Sequence, residues 1–368
     1  MKVMFITDTV DCWKHGIWFH RIQTPCDALG MRGHALKQLA MGTYFSQEQL
    51  EWPDVVIFGR TYPQQYDPIK WMKEFKNHGK RVLYDMDDDF WQVAKDNPSA
   101  MVSNAMKDQY EGMIRVADAI VTPSHVLAKK FKKYFKKPVH ICPNGTSDLV
   151  YQERMHQNQT LTIGYMGAAS HWNDLTIIAE AVSKLSEKYQ FIFKIYGLVG
   201  EPLEAAFYAY RKILSQNLQP EKKGYLEAAL KFESMLKDVQ LWHIPFMPPE
   251  LHPAVLSKCD FDIGLAPLVD NEFNHDKSCI KFYEYSTVGT VTLASDVLPY
   301  SDEVGYLAKN TVKDWYNKLE KLIVDVPFRE KLLAKQQKWV KENRSLEAIG
   351  VEWEKACQLP GGAPILNQ

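Results

Sequence analysis

Apolar runs of strand length recur along this chain, each closed by a polar or glycine-containing loop and followed by a stretch of helical period. A run that is apolar on both of its alternating faces needs a sheet covered on both sides, so the alternation predicts an α/β chain with parallel sheets. In the first half the expected strands are Val3–Thr7, Asp54–Phe58, Arg81–Tyr84, Ala119–Val121 and Val139–Ile141, with helices around Trp18–Gly30, Asp67–His78, Ser103–Val116 and Ser124–Phe135. After Pro143–Asn144–Gly145 the polar stretch Gln152–Gln159 reads as a linker. The pattern then restarts, with strands expected at Leu161–Tyr165, Phe191–Tyr196, Val239–His243, Asp262–Leu265, Val291–Ala294 and Tyr306–Ala308. Helices around Asp174–Tyr189, Pro249–Lys258, Lys277–Val288 and Thr311–Val324 connect them, and two amphipathic helices follow Pro327.

At roughly 100 to 200 residues per domain, 368 residues make two domains. The expected division is a Rossmann-like domain at 1–150, a second Rossmann-like domain at 151–340, and a C-terminal helix and tail at 341–368. Residues 200–238 are long for one crossover, and Tyr225, Ala229, Phe232 and Leu236 stand at helical spacing, which reads as a helical insertion. That insertion either covers the second sheet or forms a contacting lobe. Two similar α/β halves joined by a linker place a cleft between them, where function is expected.

Composition narrows the partners. Lys and Arg number 44 against 45 Asp and Glu, so no global basic field draws the chain to nucleic acid or membrane, and any such contact must be local. The six cysteines form no C-x-x-C pair, and Cys12 with His15 and His20 has no further ligand to complete a site, so neither a metal centre nor a disulfide framework is expected. The run Val3–Ile6 is too short for a signal-peptide core, and no stretch approaches the ~20 apolar residues of a spanning helix. A cytoplasmic protein without a transmembrane segment is the expectation.

The most informative stretch is 261–300, where a strand, a loop rich in Asp270, Asn271, Asn274 and Asp276, and an expected helix opening at Lys277–Ser278 follow one another. Lys277, Lys281 and Glu284 are spaced i, i+4, i+7 and would lie within about 60° of one another on one helical face. Their neighbours Ile280, Phe282, Tyr283 and Tyr285 are largely apolar, so this polar stripe is costly unless something polar fills the space beside it. A nucleotide diphosphate fits that space: free N–H groups at the helix start and Lys277 suit phosphate, and a carboxylate two turns on accepts from sugar or ribose hydroxyls.

The spacing Asp276-x7-Glu284, with Val288–Gly289–Thr290–Val291 and Ala294–Ser295–Asp296 after it, resembles the acidic-x7-Glu signature of nucleotide-sugar glycosyltransferases of the two-Rossmann-domain (GT-B) type, most of all the retaining group called family 4. The resemblance continues through Ile6–Thr7–Asp8, Phe19–His20–Arg21, Leu83–Tyr84–Asp85–Met86–Asp87–Asp88, Ala117–Asp118 to Pro123–Ser124, Pro143–Asn144–Gly145 and Ile163–Gly164–Tyr165–Met166–Gly167. It implies a hexosyl or pentosyl transferase using a UDP-, GDP- or ADP-sugar, with retention, domain closure over the substrates and no required cofactor. By the same resemblance Glu284 binds the donor ribose, Asp276 sits near the sugar, Lys277, Ser278 and Lys281 hold the diphosphate, and Gly167 and Gly16 form tight loops beside the donor. Two departures stand out: Asp276 occupies a position commonly Glu, and the loop 167–173 offers only His171 as a basic group, so Arg21 or Arg60 is expected to help neutralise phosphate.

The run Asp85–Asp89 invites a metal reading, because carboxylates suit a hard cation on a diphosphate. Its place in the acceptor half leaves two other roles: Asp87 or Asp88 as acceptor-orienting group or base, or simple capping and loop bonding. His20 is a candidate acceptor contact. The stretch 127–138 carries six lysines, with Leu127, Phe131, Tyr134 and Phe135 expected on the opposite face. That face is either merely solvated or a contact, through Lys130, Lys133 and Lys137, to an anionic membrane or a phosphate backbone. The acceptor is accordingly an envelope saccharide or lipid-linked sugar, or a hydroxymethylated pyrimidine in DNA; the alternative is a nucleotide-sugar-binding protein without catalysis.

Overall fold

The structure is a computed structural model that describes residues 1–8, 16–42, 44–60, 62–63, 65–93, 103–154, 159–168, 171–197, 220–236 (backbone alone at 220–226) and 238–358. Cys12, His15, residues 155–158 of the expected linker, the first part of the expected insertion and the last ten residues lie outside them. The chain forms two compact units: Met1–Asp89 with Ser103–Gly145 and Arg344–Gln368, and Phe90–Val102 with Thr146–Asn343.

The first unit runs β1 (Lys2–Thr7), α1 (Thr24–Met31), β2 (Ala35–Ala40), α2 (Gln47–Glu51), β3 (Val55–Phe58), α3 (Pro68–Asn77), β4 (Arg81–Asp85), α4 (Asn104–Val116), β5 (Ala119–Thr122), α5 (His125–Phe135) and β6 (Val139–Ile141). Its strands form one parallel sheet in the order β2-β1-β3-β4-β5-β6. The expected strands are present, each within about a residue. β2 was not expected: ALKQLA is weakly apolar and mostly half-exposed, as suits an edge strand, and it is a strand because all six residues pair with β1. Ahead of α1 the helix Gly16–Trp18 widens into a π-turn over Phe19–Gln23. Pro25 has no N–H for the Arg21 carbonyl, and the Thr24 N–H closes back on Phe19 instead.

The last helix, Leu346–Cys357, lays Leu346, Ile349, Trp353 and Ala356 on the first sheet beside Val3, Phe5, Val55 and Leu83. This helix thus packs as part of the first unit. Arg21 ties it in: buried, it donates to Asp85 (3.0 and 2.5 Å), to the Cys142 carbonyl (2.7 Å) and to Asn144 (2.9 Å), with its guanidinium 4.9 Å from the Trp353 ring centroid.

The second unit runs β7 (Thr162–Met166), α6 (Trp172–Ser186), β8 (Ile192–Tyr196), α7 (Pro220–Met235), β9 (Leu241–Ile244), α8 (His252–Cys259), β10 (Ile263–Ala266), α9 (Glu272–His275), α10 (Ile280–Thr287), β11 (Val291–Ser295), α11 (Tyr300–Glu303), β12 (Leu307–Ala308), α12 (Val312–Val324) and α13 (Val326–Arg344). All six strands are parallel, in the order β12-β11-β10-β7-β8-β9, the winding of dinucleotide-binding folds. The described part of the expected insertion, α7, puts Ala228, Ala229 and Phe232 into the core of this unit, so that part covers the second unit's core. β12 is only two residues long, and Gln336 of α13 stands in for the missing strand, donating to the Thr292 carbonyl and accepting its N–H.

Replacing Arg21 with Met leaves the Asp85 carboxylate buried and uncompensated, at a cost of ~3–5 kcal/mol. Urea unfolding of the variant is expected to show the loss, and an unchanged midpoint would refute the structural role given to this ion pair.

Candidate active site

In each sheet one pair of neighbouring strands sends its connections in opposite directions, β1 with β3 and β7 with β10, and the loops beyond their carboxyl ends part there. In the second unit one loop follows β7, with Gly167, Ala168 and His171 as its described residues, and the other follows β10 at Pro267–Cys279. The second loop is held from several sides. The Leu268 N–H donates to Ser295 Oγ (2.9 Å), Asn310 Nδ2 donates to the Leu268 carbonyl (2.8 Å), and Asn274 Nδ2 donates to the Val269 carbonyl (2.8 Å).

The helix expected from Lys277 to Val288 starts three residues later. Asn271 caps the short α9 by accepting the Asn274 N–H, Asp276 follows fully buried, and α10 opens only at Ile280 behind Cys279. Lys277 and Ser278 therefore lie in the turn before the helix, and only Lys281 and Glu284 share its face.

Lys281 is half-buried with no ion pair or hydrogen bond among the described residues, and its ammonium stands 5.5 Å from the Tyr165 ring centroid. Its pKa is pushed down to about 8, by burial first, with Asp174 and Glu284 pulling upward and Lys277 downward. His171 is pushed down to about 3, by burial first and then by Lys281 and Lys277, and is neutral at physiological pH. Its Nδ1 lies 2.6 Å from Asp174 Oδ2, and Asp174 Oδ1 accepts the Val269 N–H at 2.7 Å. Burial works to raise the Asp174 pKa, but the His171 bond, Lys277 and the Val269 amide outweigh it and hold the carboxylate below its ordinary value. Asp174 thus ties the two loops together, which the sequence reading missed; its only signal was an acid in the first turn of a helix.

Glu284 is 2% exposed, and its Oε1 accepts from the Tyr151 hydroxyl and from His252 Nε2 (3.1 Å). His252 Nδ1 in turn faces the Tyr196 hydroxyl at 2.9 Å, with the two rings stacked at 5.4 Å. Donation by Tyr196 to Nδ1 and by Nε2–H to the carboxylate is the consistent tautomer. Sequence reasoning found Glu284 but none of its three supports, because separations of 133 and 32 residues leave no local pattern.

In the first unit Arg60 Nη1 donates to Asp87 and Asp88, each at 2.9 Å, beyond the carboxyl ends of β3 and β4. Burial lowers the Arg60 pKa, but the two carboxylates more than offset this and leave it raised. Arg60 is thus shared by two aspartates, and Arg21 is held inside by Asp85, so neither stands as a free cation for phosphate. Lys130 is half-buried 3.6 Å from Asp89, and Lys137 donates to the Arg115 and Ala117 carbonyls at the end of α4 (2.8 Å each). Lys133 is exposed, as are Lys129, Lys132 and Lys136. Tyr134, expected on the core face, is 45% exposed one residue before α5 ends, whereas Leu127 and Phe131 are buried and Phe135 half-buried as expected. His20 is half-buried with its ring 5.2 Å from that of Phe19. Gly16 is exposed, and a Cβ there would meet nothing within 4 Å. Among the described residues no group of three His, Cys, Asp or Glu side chains could hold a metal, and no helix is long and apolar enough to cross a membrane.

No protein-family model matches the chain, and no curated protein does. Solved structures do. An alpha-glucosyltransferase in complex with UDP and a 13-mer DNA containing an HMU base is 12% identical with a TM-score of 0.65, over 97% of this chain and 98% of that one. Sucrose-phosphate synthase from Thermosynechococcus elongatus gives 11% and 0.62 over 97% and 98%, and Anabaena HepE in complex with UDP and glucose gives 11% and 0.60 over 97% and 99%. The two units have the Rossmann-like folds of GT-B glycosyltransferases. At such identities the likeness is one of fold.

The Lys281 ammonium predicts a pH limb. Pyrophosphate affinity is expected to fall above about pH 8, by roughly tenfold per unit, as Lys281 loses its proton, and Lys281→Arg is expected to flatten that limb. Titration calorimetry from pH 6 to 10 checks it; a flat wild-type profile contradicts the assignment. His171, already neutral, contributes no limb near pH 6.5.

Proposed function

We propose that this chain is a nucleotide-sugar-dependent glycosyltransferase in which the second unit binds the donor and the first presents the acceptor. The observation that carries the reading is Lys281, a half-buried ammonium with a depressed pKa and no ion pair among the described residues, set where the β7 and β10 loops part. Such a cation is destabilised until an anion arrives, and a nucleoside diphosphate supplies one. Lys277 stands in the adjoining turn, and the first N–H groups of α10, which an α-helix leaves without internal partners, add donors for phosphate oxygens. Glu284, held in one orientation by Tyr151 and His252, is suited to accept the two ribose hydroxyls, and buried Asp276 stands at the sugar end. The structures that resemble this chain include complexes with UDP, which agrees with a uridine donor.

In the reaction the bond from the sugar's anomeric carbon to the diphosphate oxygen breaks and one to an acceptor oxygen forms, while the acceptor's proton passes to Asp87 or Asp88 as base. Lys281, Lys277 and the start of α10 stabilise the charge growing on the departing diphosphate. Asp87 and Asp88, kept in place by Arg60, are the first-unit groups that orient the acceptor hydroxyl. Retention is part of the proposal and follows from the family 4 resemblance of the acidic-x7-Glu spacing.

For the acceptor, the exposed Lys129, Lys132, Lys133 and Lys136 favour a polyanion, and a hydroxymethylated pyrimidine in DNA joins a hydroxyl to a phosphate backbone. One of the similar structures holds such DNA. The base would have to leave the stack to react.

Scanning UDP-, GDP- and ADP-sugars with hydroxymethylated duplex DNA and with a lipid-linked saccharide is expected to give DNA-dependent nucleotide release, lowered on the order of 100-fold in kcat/KM by Lys281→Ala. Changing the four exposed lysines to Gln should reduce the slope of log affinity against log salt by about 3 to 4. Release with the saccharide alone would move the assignment to an envelope acceptor, and tight donor binding with no turnover would mark a non-catalytic protein.

A further inference from the structure

His171 stands immediately before α6, and its ring is bonded on one side only. Nδ1 lies 2.6 Å from Asp174 Oδ2, and the other oxygen of that carboxylate accepts the Val269 N–H at 2.7 Å, so a chain of hydrogen bonds from the β10 loop holds the ring. The second ring nitrogen, Nε2, makes no hydrogen bond among the described residues. It is not sealed in: the His171 side chain is 15% exposed, against 6% for that of Asp174, and Nε2 is not among the buried atoms that lack a partner.

Which nitrogen carries the proton follows from the charges around the ring. Asp174 is held ionised, and a carboxylate only accepts, so Nδ1 is the protonated nitrogen. Imidazolium is disfavoured by burial, by Lys281 and Lys277, and by the positive end of α6, whose cap is His171 itself. Nε2 is therefore a bare lone pair open to solvent. A phosphate oxygen also only accepts, so it has nothing to give that nitrogen, which reverses the phosphate-neutralising part expected of His171 from the sequence. What suits Nε2 is a group that donates, such as a hydroxyl. Protonated only near pH 3, the ring is too weak a base to take an acceptor's proton at neutral pH, and its use is to accept a hydrogen bond.

We propose that His171 is a specificity-determining residue of the donor site, its Nε2 accepting a hydrogen bond from a hydroxyl of the transferred sugar. The inference rests on the nucleotide-sugar reading above. There Lys281 and Lys277 take the diphosphate and Glu284 the ribose, and the hydroxyl-bearing group that remains, joined directly to the diphosphate, is the sugar. Asp174 is then a positioning residue, which acts through the ring it holds.

Asp174→Asn tests this. Its amide oxygen still accepts the Val269 N–H, while its NH2 donates to Nδ1 and shifts the ring proton to Nε2, which then offers a donor where the sugar needs an acceptor. Binding of UDP-glucose, GDP-mannose and ADP-glucose, and of UDP, GDP and ADP, is measured by calorimetry at pH 6.5, below the Lys281 pKa of about 8. The preferred nucleotide sugar is expected to bind roughly tenfold or more weakly than it does to wild type. Its nucleoside diphosphate should bind equally well or tighter, because the lysines have lost an opposing charge, and that retained binding also shows the variant to be folded. His171→Phe is expected to weaken the sugar without weakening the diphosphate. An unchanged sugar affinity in Asp174→Asn, or the same loss for sugar and diphosphate, overturns the role of His171 alone. Wild-type protein that binds the diphosphates and none of the sugars does the same, whereas wild type that binds none of the six probes overturns the nucleotide-sugar reading with it.

Discussion

A parallel sheet that winds outward in both directions from one pair of strands cannot close its carboxyl edge over that pair, because the two connections leave on opposite faces. The rest of each unit is arranged around that opening. In the second unit it lies between β7 and β10, and the residues with shifted titration converge there: Lys281, His171 and Asp174. In the first it lies between β1 and β3, with Arg60, Asp87 and Asp88 beyond the ends of β3 and β4.

The two units treat buried charge in opposite ways. The first balances it: Arg21 meets Asp85, Arg60 is shared by two aspartates, and Lys130 faces Asp89. Such pairing stabilises an arrangement only while both partners remain, which makes it a framework. The second unit pairs Arg154 with Asp262 in the same structural manner, yet leaves Lys281 with an aromatic ring as its neighbour. A cation kept short of its counter-charge holds unspent electrostatic free energy, which an anionic ligand can release.

Much of the architecture was legible because strand and helix periods are local properties. The all-apolar runs at Val55–Phe58 and Ile163–Met166 could go nowhere but a covered sheet. β2 escaped notice because an edge strand has no need of an apolar pattern and exists by its pairing to β1. The start of α10 was misplaced because Asn271, Asn274 and Asp276 look like a helix approach yet build a short helix and a turn of their own. Arg21 read as a phosphate-neutralising group and Lys137 as a contact to a polyanion because charge is visible in sequence and burial is not; the acceptors that occupy their guanidinium and ammonium groups lie 20 to 123 positions away.

By itself the sequence determined that the chain is built of two parallel α/β units, that a polar stripe containing Lys281 and Glu284 must be buried beside apolar neighbours, and that a lysine-rich face lies on one helix, since each of these follows from spacing within a dozen residues. Only the tertiary structure decided that the last helix completes the first sheet, that Tyr151, His252 and Tyr196 support Glu284, and that Asp174 joins two loops. Those facts depend on which distant segments the winding of the sheets brings together and on what is left out between them, and a one-dimensional pattern carries neither.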